Sequence, residues 1–194
     1  MSTIFSFILL GATQLLVIVY PPVLVFWLLL HSTIRHWRRM GIGASWIACL
    51  VWPLMGIPGF YFWNEIFAVR WPSPWWMQVL GAGILASGIA LFRAAMRVIP
   101  GKTLVGVPEL DPAHNVQPVL DTGIYARTRN PIYLAHALFI LSAALLSGYA
   151  ANWALLLLDM LVMPLMVRTE ERELLDRLGA PYAAYLRRVP RFLL

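Results

Sequence analysis

From Ile4 to Leu30 the chain runs without a single charged side chain. A bilayer core takes about 20 apolar residues of helix to cross, and a backbone inside it must satisfy its own N–H and C=O groups. The stretch therefore reads as a membrane-spanning helix, with a kink expected at Pro21-Pro22. No Lys or Arg precedes it and it exceeds the core of a signal peptide, so a cleaved leader is not expected. Composition agrees: 60% of the 194 residues are apolar and only 12% are charged, against about 25% charged in soluble domains. The chain reads as one integral membrane domain.

Trp46 to Trp63 reads as a second span, broken by Pro53 and Pro58, with Phe60, Tyr61, Phe62 and Trp63 suited to the interface. Trp75 to Met96 is a third. Its Ala82, Ala86, Ala90 and Ala94 recur every four residues and predict a smooth ridge for close helix packing. Pro131 to Leu146 and Asn152 to Val167 are shorter apolar stretches, joined at Gly148, and read as a helical hairpin. The expected fold is all-α and integral to the membrane: five transmembrane helices with a C-terminal helical hairpin and a cytoplasmic cofactor-binding segment. Within the single domain of residues 1–194, residues 1–90 form the N-terminal spans and 91–194 the catalytic half. On this scheme Arg70 alone of the 15 Lys and Arg residues falls on one side. The bias places the N-terminus outside and the C-terminal half in the cytoplasm. The net charge of +6 then reflects topology and anionic lipid rather than nucleic acid. Cys49, between Trp46 and Trp52, reads as an inert buried thiol. His136 has no metal-ligand companions, and no metal site is expected.

Two polar segments interrupt this hydrophobic chain: Gly123-Ile-Tyr-Ala-Arg-Thr-Arg-Asn-Pro-Ile-Tyr133 and Arg168-Thr-Glu-Glu-Arg-Glu-Leu-Leu-Asp-Arg-Leu-Gly-Ala-Pro-Tyr182. A hairpin between them brings both to one membrane face. Met166, Glu170, Leu174 and Leu178 share one helical face, so Glu170 points inward and needs a cationic partner. Arg129, Arg168 or a cationic ligand could supply it; an ordinary ion pair is the plainer alternative. Glu171, Glu173 and Asp176 read as lying on a solvated face. Asn130-Pro131 starts a helix, with Asn as cap and Pro in the first turn. The Pro100–Asn130 segment is too long for an idle connection and is expected to fold over something. Asp121-Thr122-Gly123 suggests a turn with free backbone amides. Tyr125 and Tyr133 offer aromatic faces for a flat ring.

The two segments, followed by Gly179-Ala-Pro-Tyr-Ala-Ala-Tyr-Leu-Arg-Arg-Val-Pro-Arg191, resemble the isoprenylcysteine carboxyl methyltransferase family. The likeness runs from about Leu91 to the C-terminus and extends to the wider group of membrane methyltransferases that includes phospholipid N-methyltransferases. The resemblance implies S-adenosylmethionine as donor, S-adenosylhomocysteine as product, and a lipidated, prenylcysteine-like acid entering from the bilayer as acceptor. It implies that Gln117, Val119, Leu120, Asp121, Thr122, Gly123, Ile124 and Tyr125 line the donor, with Asn130, Pro131 and Tyr133 beneath it. Glu170 would take its ammonium, and Arg168, with Arg129, the acceptor carboxylate. Asn130 stands where family members usually carry His; a residue that only binds cofactor there can be Asn.

A carboxylate is already an anion at neutral pH, with a pKa of about 3.5, so transfer to it needs placement and exclusion of water rather than a general base. Transfer to an amine needs somewhere for a proton to go, and His114 and Glu109 are the candidates in the loop. A crevice between the third span and the hairpin is expected to admit the lipid chain. A non-enzymatic scaffold or transporter is the reading from another class; under it Glu170 and Arg168 are only an ion pair. Gly81-Ala-Gly83 lacks the third glycine of a dinucleotide fingerprint, which disfavours a nicotinamide-dependent reductase.

Overall fold

The computed structural model describes residues 3–41 and 43–192. The side chains of Trp46, Cys49 and Trp52 lie outside the described residues, and with them the thiol reading. Ten α-helices are described: α1 (Thr3–Ser32), α2 (Ile34–Arg38), α3 (Gly43–Tyr61), α4 (Trp63–Ile66), α5 (Trp75–Met96), α6 (Gly101–Leu104), α7 (Val107–Leu110), α8 (Pro131–Ser147), α9 (Ala150–Leu178) and α10 (Ala180–Arg188). A 3-10 turn covers Gly123–Ala126. The described residues form no strand beyond an isolated bridge between Arg70 and Tyr149.

Among the described residues three helices are long and apolar enough to cross a membrane: α1 from Phe7, α5 and α9. α8 is a shorter apolar helix, and α3 is a 19-residue helix that contains Pro53 and Pro58. Exposed Leu157, Met160, Leu161 and Leu165 on α9, and Trp75, Val79 and Leu80 on α5, form apolar surface of the kind lipid covers. α1 continues as helix through Pro21 and Pro22. The largest departure from expectation is at α9. The apolar stretch 152–167 and the amphipathic stretch beyond it are one 29-residue helix that tolerates Pro164, so the span carries its polar segment rigidly.

α5 packs on α8, and α9 packs on α1 and α8. The face of α5 that packs is not the alanine ridge: Ala82, Ala86 and Ala90 are exposed, while Gly81, Gly88 and Ala95, seven residues apart, are buried. A Cβ at Gly81 would sit 2.9 Å from Leu146 Cγ, and one at Gly88 2.8 Å from Phe139. Glycine at those two positions lets α8 approach, and the Ser142 hydroxyl donates to the Gly81 carbonyl across the seam at 2.9 Å. The expected packing ridge is thus overturned: the alanine face points away from the protein.

The α8–α9 hairpin turns on Gly148, which has φ +72° and whose Cβ, if present, would collide with the Trp71 carbonyl at 2.1 Å. The Trp71 N–H donates to the Gly148 carbonyl at 2.9 Å, and Arg70 Nε to the Ser147 carbonyl at 2.9 Å. The α4–α5 connection thus seals the hairpin end. Tyr20, Leu24, Ile140, Leu155, Met163, Met166 and Val167 form the core where α1, α8 and α9 meet. Within it the Tyr20 hydroxyl donates to Asp159 Oδ1 at 2.8 Å, which gives one oxygen of an intramembrane carboxyl a local partner.

Candidate functional site

Above that core α1, α8, α9 and α10 enclose, with the Pro100–Asn130 segment, a cavity of about 190 Å³. The segment does fold over something. Leu104 and Glu109 reach the cavity from α6 and α7, and Gln117, Val119 and Leu120 from the extended stretch that follows. α5 contributes no lining residue, so the expected crevice between the third span and the hairpin is replaced by the tight glycine seam. The space lies between α1 and the hairpin instead.

Met166, Glu170, Leu174 and Leu178 all line the cavity, as their helical phase predicts. What the phase misjudged is the other side of α9. Glu171 and Glu173 are buried, at 7% and 4% exposure, not solvated. Glu171 receives Arg129 Nε at 3.0 Å and Arg191 Nη2 at 2.5 Å. Glu173 receives Arg38 at 2.5 Å and Arg177 at 2.8 Å. Arg177 also reaches Glu109 Oε1 at 3.3 Å and Gln117 Oε1 at 3.0 Å, and Arg38 Nε donates to the Glu109 carbonyl at 2.9 Å. These pairs pin α2, α7 and the C-terminal tail onto α9. An exposed-face reading failed because α2 and the tail return to cover that face, which local periodicity does not record.

Glu170 is different. Among the described residues no ion pair reaches it; its Oε2 accepts the Tyr133 hydroxyl at 2.6 Å. Neither cation proposed for it serves. Arg129 is engaged by Glu171 and by the Leu186 and Val189 carbonyls, although it touches the cavity wall. Arg168 is exposed and is not part of the lining. It is therefore not placed to hold an acceptor inside this space.

Of the other expected donor-lining residues, Gln117, Val119, Leu120, Tyr125, Asn130, Pro131 and Tyr133 line the cavity. Asp121, Thr122, Gly123 and Ile124 do not. Asp121 pairs with Arg188 at 3.1 Å on the surface, and Thr122 and Gly123 shape the 3-10 turn that puts Tyr125 inward, with Gly123 at φ +58°. Asn130 occupies the cap position of α8 without a side-chain capping bond. Its amide donates instead to Glu171 Oε1 at 3.4 Å and to the Arg191 carbonyl at 3.2 Å. Burial raises the phenols of Tyr125 and Tyr182, and lifts Tyr185 to about 12, so all three face the site neutral. Tyr185 donates to the Tyr125 carbonyl at 2.7 Å.

Sequence reasoning missed an entire wall. Tyr20, Leu24, Trp27 and His31 of α1 line the cavity, at spacings of four, three and four. That period was legible in the first span, but uniform hydropathy hid it. His136, expected as a packing histidine, is set among Tyr20, Phe92, Tyr133 and Phe139 and also lines the cavity. No group of His, Cys, Asp and Glu among the described residues could hold a metal ion.

A family model described as phospholipid methyltransferase matches residues 76–179. Comparison with curated proteins and with solved structures returned no match. The matched stretch includes α5, the loop over the cavity, α8 and α9, and ends at the glycine that closes α9. α1 and α10 lie outside it.

Proposed function

Because this chain belongs to the phospholipid methyltransferase family, we propose that it moves a methyl group from S-adenosylmethionine to the amine head group of a bilayer lipid. The observation that carries this reading is Glu170: a carboxylate on the cavity wall with a tyrosine hydroxyl but no cation. A buried carboxylate lacking a counter-charge is costly, and a cationic ligand removes the cost. The donor's α-ammonium suits it. Gln117 and the rings of Tyr125, Tyr182 and Tyr185 surround the same space with amide and aromatic surface for a nucleoside. When bound, the donor supplies an electrophilic methyl on sulfonium.

The amine is favoured over the prenylcysteine carboxylate by the charges that face the cavity. Glu109, Glu170, His31 and His136 line it, and the one arginine among the described lining residues, Arg129, is already bonded to Glu171 and two carbonyls. A carboxylate acceptor would meet carboxylates and no available cation. An ammonium acceptor meets its complement. Apolar Val23, Leu24, Ile132 and Leu174 fit the start of an acyl chain, which prefers hydrocarbon by about 0.8 kcal/mol per CH₂. The chain's own contribution is then placement and exclusion of water around the reacting pair. The asymmetry of Lys and Arg supports a cytoplasmic site, where a soluble donor is supplied.

The test is product chemistry. The purified protein in nanodiscs receives methyl-labelled donor, with phosphatidylethanolamine in one arm and a farnesylcysteine analogue in the other. Label in base-stable lipid amine is the expected result. Base-labile methyl ester formed on the farnesylcysteine, with none on the amine, returns the assignment to carboxyl transfer. Label in neither overturns the methyltransferase reading.

A further inference from the structure

Two buried polar atoms on the cavity wall have no partner in the protein: His31 Nδ1 and Glu109 Oε2. Each residue is only 5% exposed, and both line the cavity. Trp27 lies near each. The indole stacks on His31 with ring centroids 5.6 Å apart, and a Cβ built on Gly106 would lie 3.4 Å from the Trp27 ring and 3.9 Å from Glu109 Oε2. Proteins rarely leave such atoms unsatisfied, because a group stripped of water without a replacement partner keeps the full desolvation cost. Two of them on the lining of one cavity describe a subsite whose ligand brings hydrogen-bond donors.

We propose that Glu109, with His31 and Trp27 beside it, is the acceptor end of the site, where the head-group ammonium lands and gives up its proton to Glu109 Oε2. This assignment rests on the amine-transfer reading above and adds the residue that makes it chemically possible. An ammonium has no lone pair and cannot attack. The proton passes from nitrogen to the Glu109 carboxylate, leaving a neutral amine; its lone pair then forms the N–C bond as the donor's S–CH₃ bond breaks, with sulfur keeping the bonding pair. The product ammonium carries the charge that the sulfonium lost, and the proton on Glu109 leaves to water. His31 Nδ1 holds the head group by a second hydrogen bond. The indole face of Trp27 receives the methylated nitrogen, which has fewer N–H groups to offer.

The surroundings suit a proton acceptor. Burial lifts the Glu109 carboxyl to about 7, against the pull of Arg177. The charged and titratable groups around it are Arg177, Glu173 and Glu170 on α9, Tyr133 on α8, and Arg38 of α2 on its backbone carbonyl. Of the two proton acceptors the sequence offered for amine transfer, His114 is exposed and bonded to Asp111 at 2.8 Å, away from the cavity. Glu109 is the one inside.

The experiment compares wild type with Glu109→Gln in nanodiscs, measuring donor affinity by calorimetry and methyl transfer to phosphatidylethanolamine from pH 7 to pH 10. The expected variant binds donor within about twofold of wild type and transfers about a hundredfold more slowly at pH 7. It recovers most of that loss as the pH approaches about 10, where an alkylammonium sheds its own proton. His31→Gln is expected to raise the acceptor KM about tenfold with little change in kcat. If Glu109→Gln does not fold, Glu109→Asp carries the test: retained transfer with an unshifted pH profile supports the assignment, and a profile that rises to pH 10 overturns it. Wild-type transfer by Glu109→Gln at pH 7, a loss that high pH does not restore, or a parallel loss of donor binding overturns it as well. In those cases wild-type methylation still stands. A wild type that binds no donor removes the methyltransferase reading and this one with it.

Discussion

The two sides of α9 carry carboxylates of the same kind in opposite circumstances. On the two flanks covered by the C-terminal tail and by α2, Glu171 and Glu173 each hold two arginines. Toward the cavity, Glu170 has a tyrosine hydroxyl and no cation, while Glu109 of α7 has Arg177 on one oxygen and nothing on the other. Both sets are buried, so burial alone does not separate structural from functional charge. The presence of a protein counter-charge does. A carboxylate that the fold answers itself locks elements together; one that the fold leaves unanswered waits for something that arrives.

The comparison can be broken most forcefully on its closed side. Glu171→Ala leaves Arg129 and Arg191 without their carboxylate, and removing one partner of a buried pair costs about 3–5 kcal/mol. Arg191 is partly exposed, which puts the expected loss near 3 kcal/mol, read as a lowered midpoint in thermal unfolding in detergent. A second test concerns the other wall of the molecule. Gly88→Ala drives a Cβ into Phe139 and is expected to cost about 1–3 kcal/mol. Gly83→Ala on the exposed side of α5, where a Cβ meets nothing within 4 Å, should be neutral or stabilising by up to about 1 kcal/mol. Equal effects would mean that the glycine seam does not set the α5–α8 approach.

The smallest effect is a slope. The folded Glu109 carboxyl sits at about 7 against an ordinary 4.5, with burial the leading cause. Its contribution to stability is therefore full below about pH 4.5 and fades as pH rises through 7. The stability of ligand-free wild type relative to Glu109→Gln should fall as pH rises across this window. A wild type that gains stability over the variant as pH rises would show an ionised, well-paired Glu109.

Much of this was legible in the sequence. The ends of α5 and the start of α8 fall where apolar runs and proline place them, and the four-residue period puts Glu170 on the cavity wall. The loop through Gln117 and Tyr125 folds over the site as its length required. Three things were not legible, each for a physical reason. The α5 interface follows its glycines, because close approach selects the smallest residue and the period of the alanines says nothing of which face meets protein. The burial of Glu171 and Glu173 depends on Arg38 and Arg191, which are distant in sequence. The α1 wall with Trp27 and His31 hides in a span where every neighbour is apolar, so one histidine at its end reads as the edge of the membrane.

The central claim is that Glu170 is left open for the donor's ammonium. The most direct measurement is calorimetric titration of S-adenosylmethionine into wild type and Glu170→Gln in nanodiscs, with unfolding midpoints recorded alongside. The account predicts saturable binding by wild type, at least tenfold weaker binding by the variant, equivalent to about 1.4 kcal/mol, and stability changed by less than about 1 kcal/mol. Equal affinity in the two proteins, or a variant that binds as wild type does but unfolds far more easily, would make Glu170 a structural residue and contradict the account.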